Sequence, residues 1–421
     1  MRYSLVDGIR SVQSKAMTAT QAGQMPTETF PDTPATERAT AGVLALLMAL
    51  TALGQLATNI VVPSLRDIAR GVALPDESVG LILSMVLLGL AVGQLVVGPL
   101  SDRIGRRPVL IGGLAIYLLG SIGATFASDG LLLLAARLVQ GLGASASLAL
   151  PRAIARDRYT GPEFMRTMSL LTMAMAVTPG LAPVFGGLIA DLANWRIALA
   201  STILAGAVAL AAVTVSLPET HHQRTENGGP RAMLSAYAHV LRNRVFLAYA
   251  LMSGAAIGGA YSEVSGAQQF YTGEFGWTPA RLSLATACYA AAAFCGGILS
   301  RYIRASHRVR IGVGLIVAAP IVLLALRGAG ANHPAIMLCL IVVSQIGMGI
   351  MIGVAIGAAL VALDRSVGTA SAVLGAIHMT MGAAGAAIVT AIPTAASWSI
   401  PVTMLAFGLL AVLAQRIAAR A

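Results

Sequence analysis

Gly98-Pro99-Leu100-Ser101-Asp102-Arg103-Ile104-Gly105-Arg106-Arg107-Pro108-Val109-Leu110 sets four charged side chains between two long apolar runs. The residues just before it, Val79 to Val97, are apolar enough to cross a bilayer, whereas three clustered arginines cannot stay in hydrocarbon and mark a membrane surface. Gly98 and Gly105 lack a Cβ, so the backbone can turn sharply and neighbouring helices can approach. Asp102 suits a helix N-terminus, where an anion is favoured, or an ion pair with Arg106 or an arginine elsewhere. A loop that only fixed topology would need the arginines but not the Gly-x3-Asp-x2-Gly spacing. The stretch therefore reads as a conformational hinge, carried by Gly98, Asp102, Arg103, Gly105, Arg106 and Arg107.

Composition agrees. Of the 421 residues, 57% are hydrophobic and 11% charged, and mean hydropathy is +0.80. A soluble surface needs far more charge, so the chain is read as a polytopic membrane protein. The formal charge of +11 would suggest nucleic acid in a soluble protein, but here the basic residues concentrate beside the apolar segments, and no nucleic-acid partner is expected. Cys288, Cys295 and Cys339 all lie in apolar runs without ligand spacing, so neither a disulfide framework nor a metal site is implied, and no cofactor is expected.

Residues 1–39 are polar and rich in Thr and Pro, without the apolar core of a cleaved signal, and read as a disordered cytoplasmic tail. Twelve apolar segments follow, each close to the roughly 20 residues a spanning helix needs: 40–63, 78–99, 108–127, 131–151, 166–190, 195–217, 244–270, 280–303, 309–327, 334–361, 367–391 and 396–416. The longest polar interruption follows the sixth. The predicted organisation is an N-terminal six-helix bundle at 40–217, a cytoplasmic linker at 218–243 and a C-terminal six-helix bundle at 244–421. With the N-terminus inside, the tails and even-numbered loops carry 22 Lys and Arg against 5 on the opposite side. That asymmetry places both termini in the cytoplasm. A shift of 199 residues brings Gly98, Leu100 and Ser101 onto Gly297, Leu299 and Ser300, although Asp102 then falls on Arg301. This degenerate second copy suits two homologous bundles around a central cavity.

Polar residues inside the spans are the candidate site. Thr51, Gln55 and Asn59 recur every four residues on one stripe of the first span. The stripe either lines a cavity or bonds neighbouring helices. In the fourth span Arg137, Gln140, Gly141 and Ala144 share a face. An arginine at mid-span is costly, about 2.5–3.5 kcal/mol on insertion scales, so it must face a cavity or a partner. The fifth span holds Pro179 and Pro183, each of which frees a backbone acceptor, followed by Gly186 and Gly187; bending and close packing are expected. Glu263 is the carboxylate placed well inside a span, flanked on its face by Gly259, Ala260, Gly266 and Ala267. Small neighbours point to a close helix contact or an open cavity, which makes Glu263 the proton-carrier candidate; the alternative is a solvated acid near the outer interface. His378 continues the face of Ser371 and Gly375 in the eleventh span, where helix packing explains most of the pattern.

The opening stretch resembles the loop 2–3 signature of the major facilitator superfamily, Gly-x-Leu-x-Asp-Arg-x-Gly-Arg-Arg. Together with Arg137-x2-Gln140-Gly141, Pro179-x3-Pro183-x2-Gly186-Gly187, Trp195-Arg196, Leu217-Pro218-Glu219-Thr220 and Gly368-Thr-Ala-Ser-Ala-Val-Leu-Gly375, it is similar to the bicyclomycin and chloramphenicol resistance (Bcr/CflA) type of drug:proton antiporter. The resemblance spans roughly residues 40–417. It implies an all-α membrane protein of the major facilitator fold, twelve transmembrane helices in two six-helix bundles, and a proton-coupling role for Arg137. It departs in two places: Asn59 stands four residues before Pro63 where family members usually carry Asp, and Gln268 or Gln269 stands where they tend to have proline. Asn carries no proton, so coupling through the first span is placed in doubt.

The expected function is a secondary active transporter of a bacterial inner membrane that exports small amphipathic compounds in exchange for protons. Its partners are then a small-molecule substrate, protons and the lipid bilayer, and the protein is expected to be a monomer. The pathway candidates are Gln55, Asn59, Arg137, Gln140 and Glu263. The runner-up is a dedicated metabolite exporter or importer of the same fold; a non-transporting receptor or scaffold stands further off. No P-loop or catalytic grouping points to ATP coupling or an enzyme.

Overall fold

The computed structural model describes residues 34–220, 230–363, 367–392 and 394–420. Among these there is no strand. Residues 1–33 of the expected tail and 221–229 of the linker lie outside the described residues.

Among the described residues, twelve helices are long and apolar enough to cross a membrane. They are α1 (Pro34–Asn59), α2 (Leu81–Ile104), α3 (Arg106–Thr125), α4 (Gly130–Arg158), α5 (Gly161–Leu192), α6 (Trp195–Ser216), α7 (Arg244–Ala267), α8 (Pro279–Leu299), α9 (Ala305–Gly328), α10 (Pro334–Val361), α11 (Val367–Ala391) and α12 (Ala396–Ala418). Several ends differ from the sequence reading. Helix α1 begins at Pro34, ahead of residue 40, and stops at Asn59, short of 63; α2 runs past residue 99 to Ile104 and α4 past 151 to Arg158; α5 begins at Gly161, ahead of 166; and α7 continues as a π-helical turn, Gln268–Glu274. The linker also holds a helix, Pro230–Arg242. Tyr237 and Val240, three residues apart, place one of its faces in an apolar cluster with Phe246, Ala370 and Leu374.

Local sequence sets several helix starts. Asp129 accepts from the Leu132 N–H at 2.9 Å, Asn194 from Ile197 at 3.1 Å and Asn243 from Phe246 at 2.9 Å. Each satisfies a donor that the first helical turn leaves open. The bond from Leu132, with a further one from Ser128, holds the Asp129 carboxyl below the usual range.

The helices pack as two sets. In the first, α4 crosses α2 and α3, and α3 lies against α6; in the second, α7 lies against α10, α11 and α12, α8 against α10, and α9 against α10 and α12. Seams α2–α11 and α5–α8 join the sets. The repeat seen in the sequence has a structural counterpart: Ser101 Oγ donates to the Gly98 carbonyl at 2.8 Å and Ser300 Oγ to the Gly297 carbonyl at 2.7 Å.

Close crossings rest on glycine. A Cβ on Gly143 of α4 would meet the Tyr117 backbone nitrogen and stand 2.6 Å from the Gly113 carbonyl of α3. Gly98, by contrast, lies within α2 with open space around it. Gly143→Ala is therefore expected to destabilise by about 3 kcal/mol, the upper end for overpacking, because backbone must move. Gly98→Ala should instead be neutral or stabilising by about 0.5 kcal/mol through helix propensity. Thermal midpoints of the two variants in detergent check the contrast.

Candidate functional site

The hinge is a set of bonds between four helices, α2, α3, α4 and α6, and the segment after α6. Helix α2 runs through Pro99 to Ile104, and the turn is made at Gly105, whose φ of 106° favours glycine. Asp102 thus sits in the last turn of α2, away from any helix N-terminus, and of its two expected roles it takes the ion pair, 2.5 Å from Arg106 Nη1. Arg103 lies in the same last turn, where a cation suits the carbonyl end of the helix dipole. Arg106 is 3% exposed. Its Nε donates to Asp157 Oδ2 of α4 at 2.9 Å and its Nη1 to Ser101 Oγ at 2.6 Å. Arg107 Nη2 reaches the Thr214 carbonyl of α6 at 2.7 Å.

Sequence reasoning missed the residue that completes this turn. Glu219 accepts from the backbone N–H of Arg106 at 2.9 Å and of Arg107 at 3.1 Å. One carboxylate, supplied from beyond α6, therefore caps the start of α3, a position that favours negative charge. A Cβ at Gly105 would stand 2.5 Å from Glu219 Oε2. Gly105 is required twice, by its φ and by this carboxylate. The Leu217-Pro218-Glu219-Thr220 stretch was the available signal, but nothing local tied it to residue 106.

The polar residues of the spans fall into separate groups. On α1, Thr51, Gln55 and Asn59 are all buried; Thr51 Oγ1 bonds the Leu47 carbonyl at 2.9 Å and Asn59 Nδ2 the Gln55 carbonyl at 2.8 Å. Arg137 and Gln140 are fully buried within the first bundle. Arg137 Nη1 donates to Gln140 Oε1 at 2.5 Å and Nε to the Ile82 carbonyl of α2 at 3.3 Å, while Nη2 has no hydrogen-bond partner. Gln140 Nε2 then reaches Ser121 of α3 at 2.8 Å and Thr202 of α6 at 3.2 Å. The arginine and glutamine thus gather four helices around one polar knot.

In the second bundle Glu263 of α7 is 1% exposed. Its Oε2 accepts from Gln345 Nε2 of α10 at 2.7 Å, and Gln345 Oε1 has no partner. No cation lies within ion-pair distance of it among the described residues. Gln345 was not anticipated; it is visible in the sequence only as a lone amide in an apolar run. Farther along α7, Ser253 Oγ lies 2.8 Å from His378 Nε2 of α11, and Tyr271 and Tyr289 share a bond at 2.9 Å between their hydroxyls.

Pro179 and Pro183 lie inside α5, which continues through both. Past them the glycine pair has a defined use: a Cβ on Gly186 would meet the Ile60 carbonyl at the end of α1, and one on Gly187 would stand 2.8 Å from the Pro279 carbonyl at the start of α8. An apolar groove of about 360 Å³ runs between α1, α5 and α6, lined by residues including Leu46, Leu53, Leu56, Thr178 and Val208.

Twelve helices of spanning length in two bundles, with polar groups buried inside each and a bonded turn between α2 and α3, define a polytopic helical membrane protein. The family model of the Major Facilitator Superfamily matches residues 44–390, and the chain belongs to that superfamily. Its relatives include an uncharacterized MFS-type transporter, YdgK, of Bacillus subtilis, 31% identical over 80% of this chain and 85% of the relative. The chloramphenicol resistance protein of Pseudomonas aeruginosa is 30% identical over 86% of this chain and 87% of that one. Multidrug resistance protein D of Escherichia coli is 35% identical over about half of each chain, 50% and 52%. Among solved structures, a bacterial homolog of the human lysosomal transporter Spinster, in an inward-facing and unoccupied conformation, superposes with a TM-score of 0.68 at 15% identity, covering 90% of this chain and 96% of that one.

Proposed function

We propose that this protein is a secondary active transporter that exports small amphipathic compounds in exchange for protons. The observation that carries the reading is Glu263, a carboxylate buried in the second bundle with one amide donor, Gln345, as its partner. An acid without a cation beside it, at the seam of α7 and α10, is suited to exchange a proton as the bundles move. Arg137 and Gln140 stand as the corresponding polar group of the first bundle, and Gln55 and Asn59 of α1 complete the pathway in this reading. Direction and substrate class draw support from the relatives named for chloramphenicol and multidrug resistance.

The domains in this reading are residues 40–217 and 244–421, joined by the linker 218–243, with both termini in the cytoplasm of a bacterial inner membrane. The protein works as a monomer, without cofactor and without catalysis. The binding site opens to the two faces in turn while Asp102, Arg103, Gly105, Arg106 and Arg107 regulate the α2–α3 turn, Gly98 lying ahead of it within α2, and Pro179, Pro183, Gly186 and Gly187 shape α5.

One departure favours a second reading. Asn59, which stands where the resembled family usually has Asp, spends its amide on the Gln55 carbonyl of its own helix. A dedicated carrier of one metabolite needs no acid there. Transport in inverted vesicles across a panel of unrelated amphipathic compounds, with and without a pH gradient, tests both. The proposal expects gradient-dependent accumulation of several panel members. Accumulation of a single metabolite selects the dedicated carrier, and flux insensitive to the gradient overturns proton exchange.

A further inference from the structure

One face of the molecule, formed by the α1–α2, α5–α6, α7–α8 and α11–α12 turns, is tied together by polar side chains that each bundle supplies to helix ends of the other. Thr390 of α11 accepts from the Gly80 N–H at the start of α2 at 3.1 Å, where α2 has no side-chain cap of its own. Asp191 at the end of α5 accepts from the Ala280 N–H at the start of α8 at 3.1 Å; Thr278, the local cap, is occupied by Arg281. Gln268, just after α7, uses both ends of its amide. It donates to the Pro63 carbonyl at 2.9 Å and accepts from the Arg66 N–H, at the start of a short helix, Leu65–Gly71, whose N-cap residue Ser64 makes no side-chain cap bond.

At each tie a glycine brings the partners together. Cβ atoms on Gly80, Gly187 and Gly273 would collide with Thr390, the Pro279 carbonyl and the Arg66 guanidinium respectively. The three ties lie on different helix pairs, α2 with α11, α5 with α8, and α7 with the turn after α1. Separation of the bundles as rigid bodies must break all of them in one step.

We propose that Thr390, Asp191 and Gln268 form a latch that holds this face closed by satisfying, in trans, helix-end groups that the sequence leaves without local partners. The inference rests on the alternating-access reading above. Opening exchanges each bond for water, so each tie biases the population toward the closed face by about the worth of a helix cap.

The test is a distance measurement between spin labels by double electron–electron resonance. The full chain is used in nanodiscs, with Cys288, Cys295 and Cys339 replaced by Ser and labels at Ser128→Cys and Ala329→Cys. Both labelled positions are exposed, in the α3–α4 and α9–α10 turns, which helix alternation puts on the same side as the ties, one in each bundle. Asp191→Ala, Thr390→Val and Gln268→Leu are each expected to raise the ratio of long to short distances by about 3- to 10-fold. Thr390→Ser keeps the hydroxyl and should keep the parental ratio. Asn243→Ala removes bonds to the Ala362 carbonyl and Phe246 N–H within the second bundle. It should lower thermal stability and leave the ratio unchanged.

Ratios within twofold of the parent in all three variants, or an equal shift in Asn243→Ala, overturn the latch while leaving alternating access intact. If Thr390→Val fails to fold, Gln268→Glu serves in its place: it keeps the acceptor for Arg66, loses the donor to Pro63 and should give an intermediate ratio, and a parental ratio would reject the latch. A parent chain with one distance at every pH and with every panel compound rejects alternating access itself, and the latch with it.

Discussion

Arg106→Ala is expected to lower the thermal midpoint of the detergent-solubilised protein on the order of 6–12 °C, well beyond the effect of any other hinge arginine. The Arg106 side chain is 4% exposed and its guanidinium joins Asp102 and Ser101 on α2 to Asp157 on α4. Removing one member of a buried ion pair costs about 3–5 kcal/mol; the lower end applies because Asp102 keeps 48% of its side chain in solvent. At ~2–4 °C per kcal/mol for a unit of bundle size, that cost gives the stated shift. Arg107→Ala is the control. Its Nη2 bond to the Thr214 carbonyl is exposed, and its loss should move the midpoint by less than about 3 °C. Arg106→Lys should fall between, since a single ammonium cannot present a planar fork to acceptors on two helices. Fluorescence-detected gel filtration after a temperature ramp reads all three, and a midpoint for Arg106→Ala equal to that of Arg107→Ala would remove the hinge from this account.

The second large effect is functional. Glu263→Gln keeps the size of the side chain and a carbonyl oxygen to accept from Gln345 Nε2, so the bond at 2.7 Å can persist and the fold should survive. What it loses is the capacity to take up and release a proton. Substrate-driven proton movement in vesicles should drop to the level of empty liposomes, at least tenfold below the parent, with the thermal midpoint within about 2 °C, as expected when no buried polar group loses its partner. Undiminished proton flux in this variant would exclude Glu263 as the carrier. Gln345→Leu separates position from charge: Glu263 remains but loses its donor, so flux should fall while the carboxylate stays titratable by difference infrared spectroscopy.

Much of the architecture was legible in one dimension. Apolar runs near the spanning length located all twelve helices, because hydrocarbon selects length and polarity without regard to neighbours. The helix at Pro230–Arg242 escaped notice, since its apolar face is short and was submerged in a polar interruption. Arg137 and Gln140 were grouped correctly by i, i+3 spacing, and they do bond each other. Ser121 and Thr202, which finish that knot, lie 19 and 62 positions from Gln140 and carried no local mark. Gln345 is of the same kind, 82 positions from Glu263.

The sequence alone determined that this chain lives in a bilayer, where its helices are, which charges interrupt them and that the α2–α3 turn needs glycine and arginine. These properties follow from the cost of placing each residue in oil or water, a cost borne one residue at a time. Tertiary structure alone decided who answers those charges: Glu219 and Asp157 at the hinge, Gln345 for Glu263, and Thr390, Asp191 and Gln268 between the bundles. A hydrogen bond or ion pair is a relation between two positions, and its partner is fixed only when the helices carrying both have crossed.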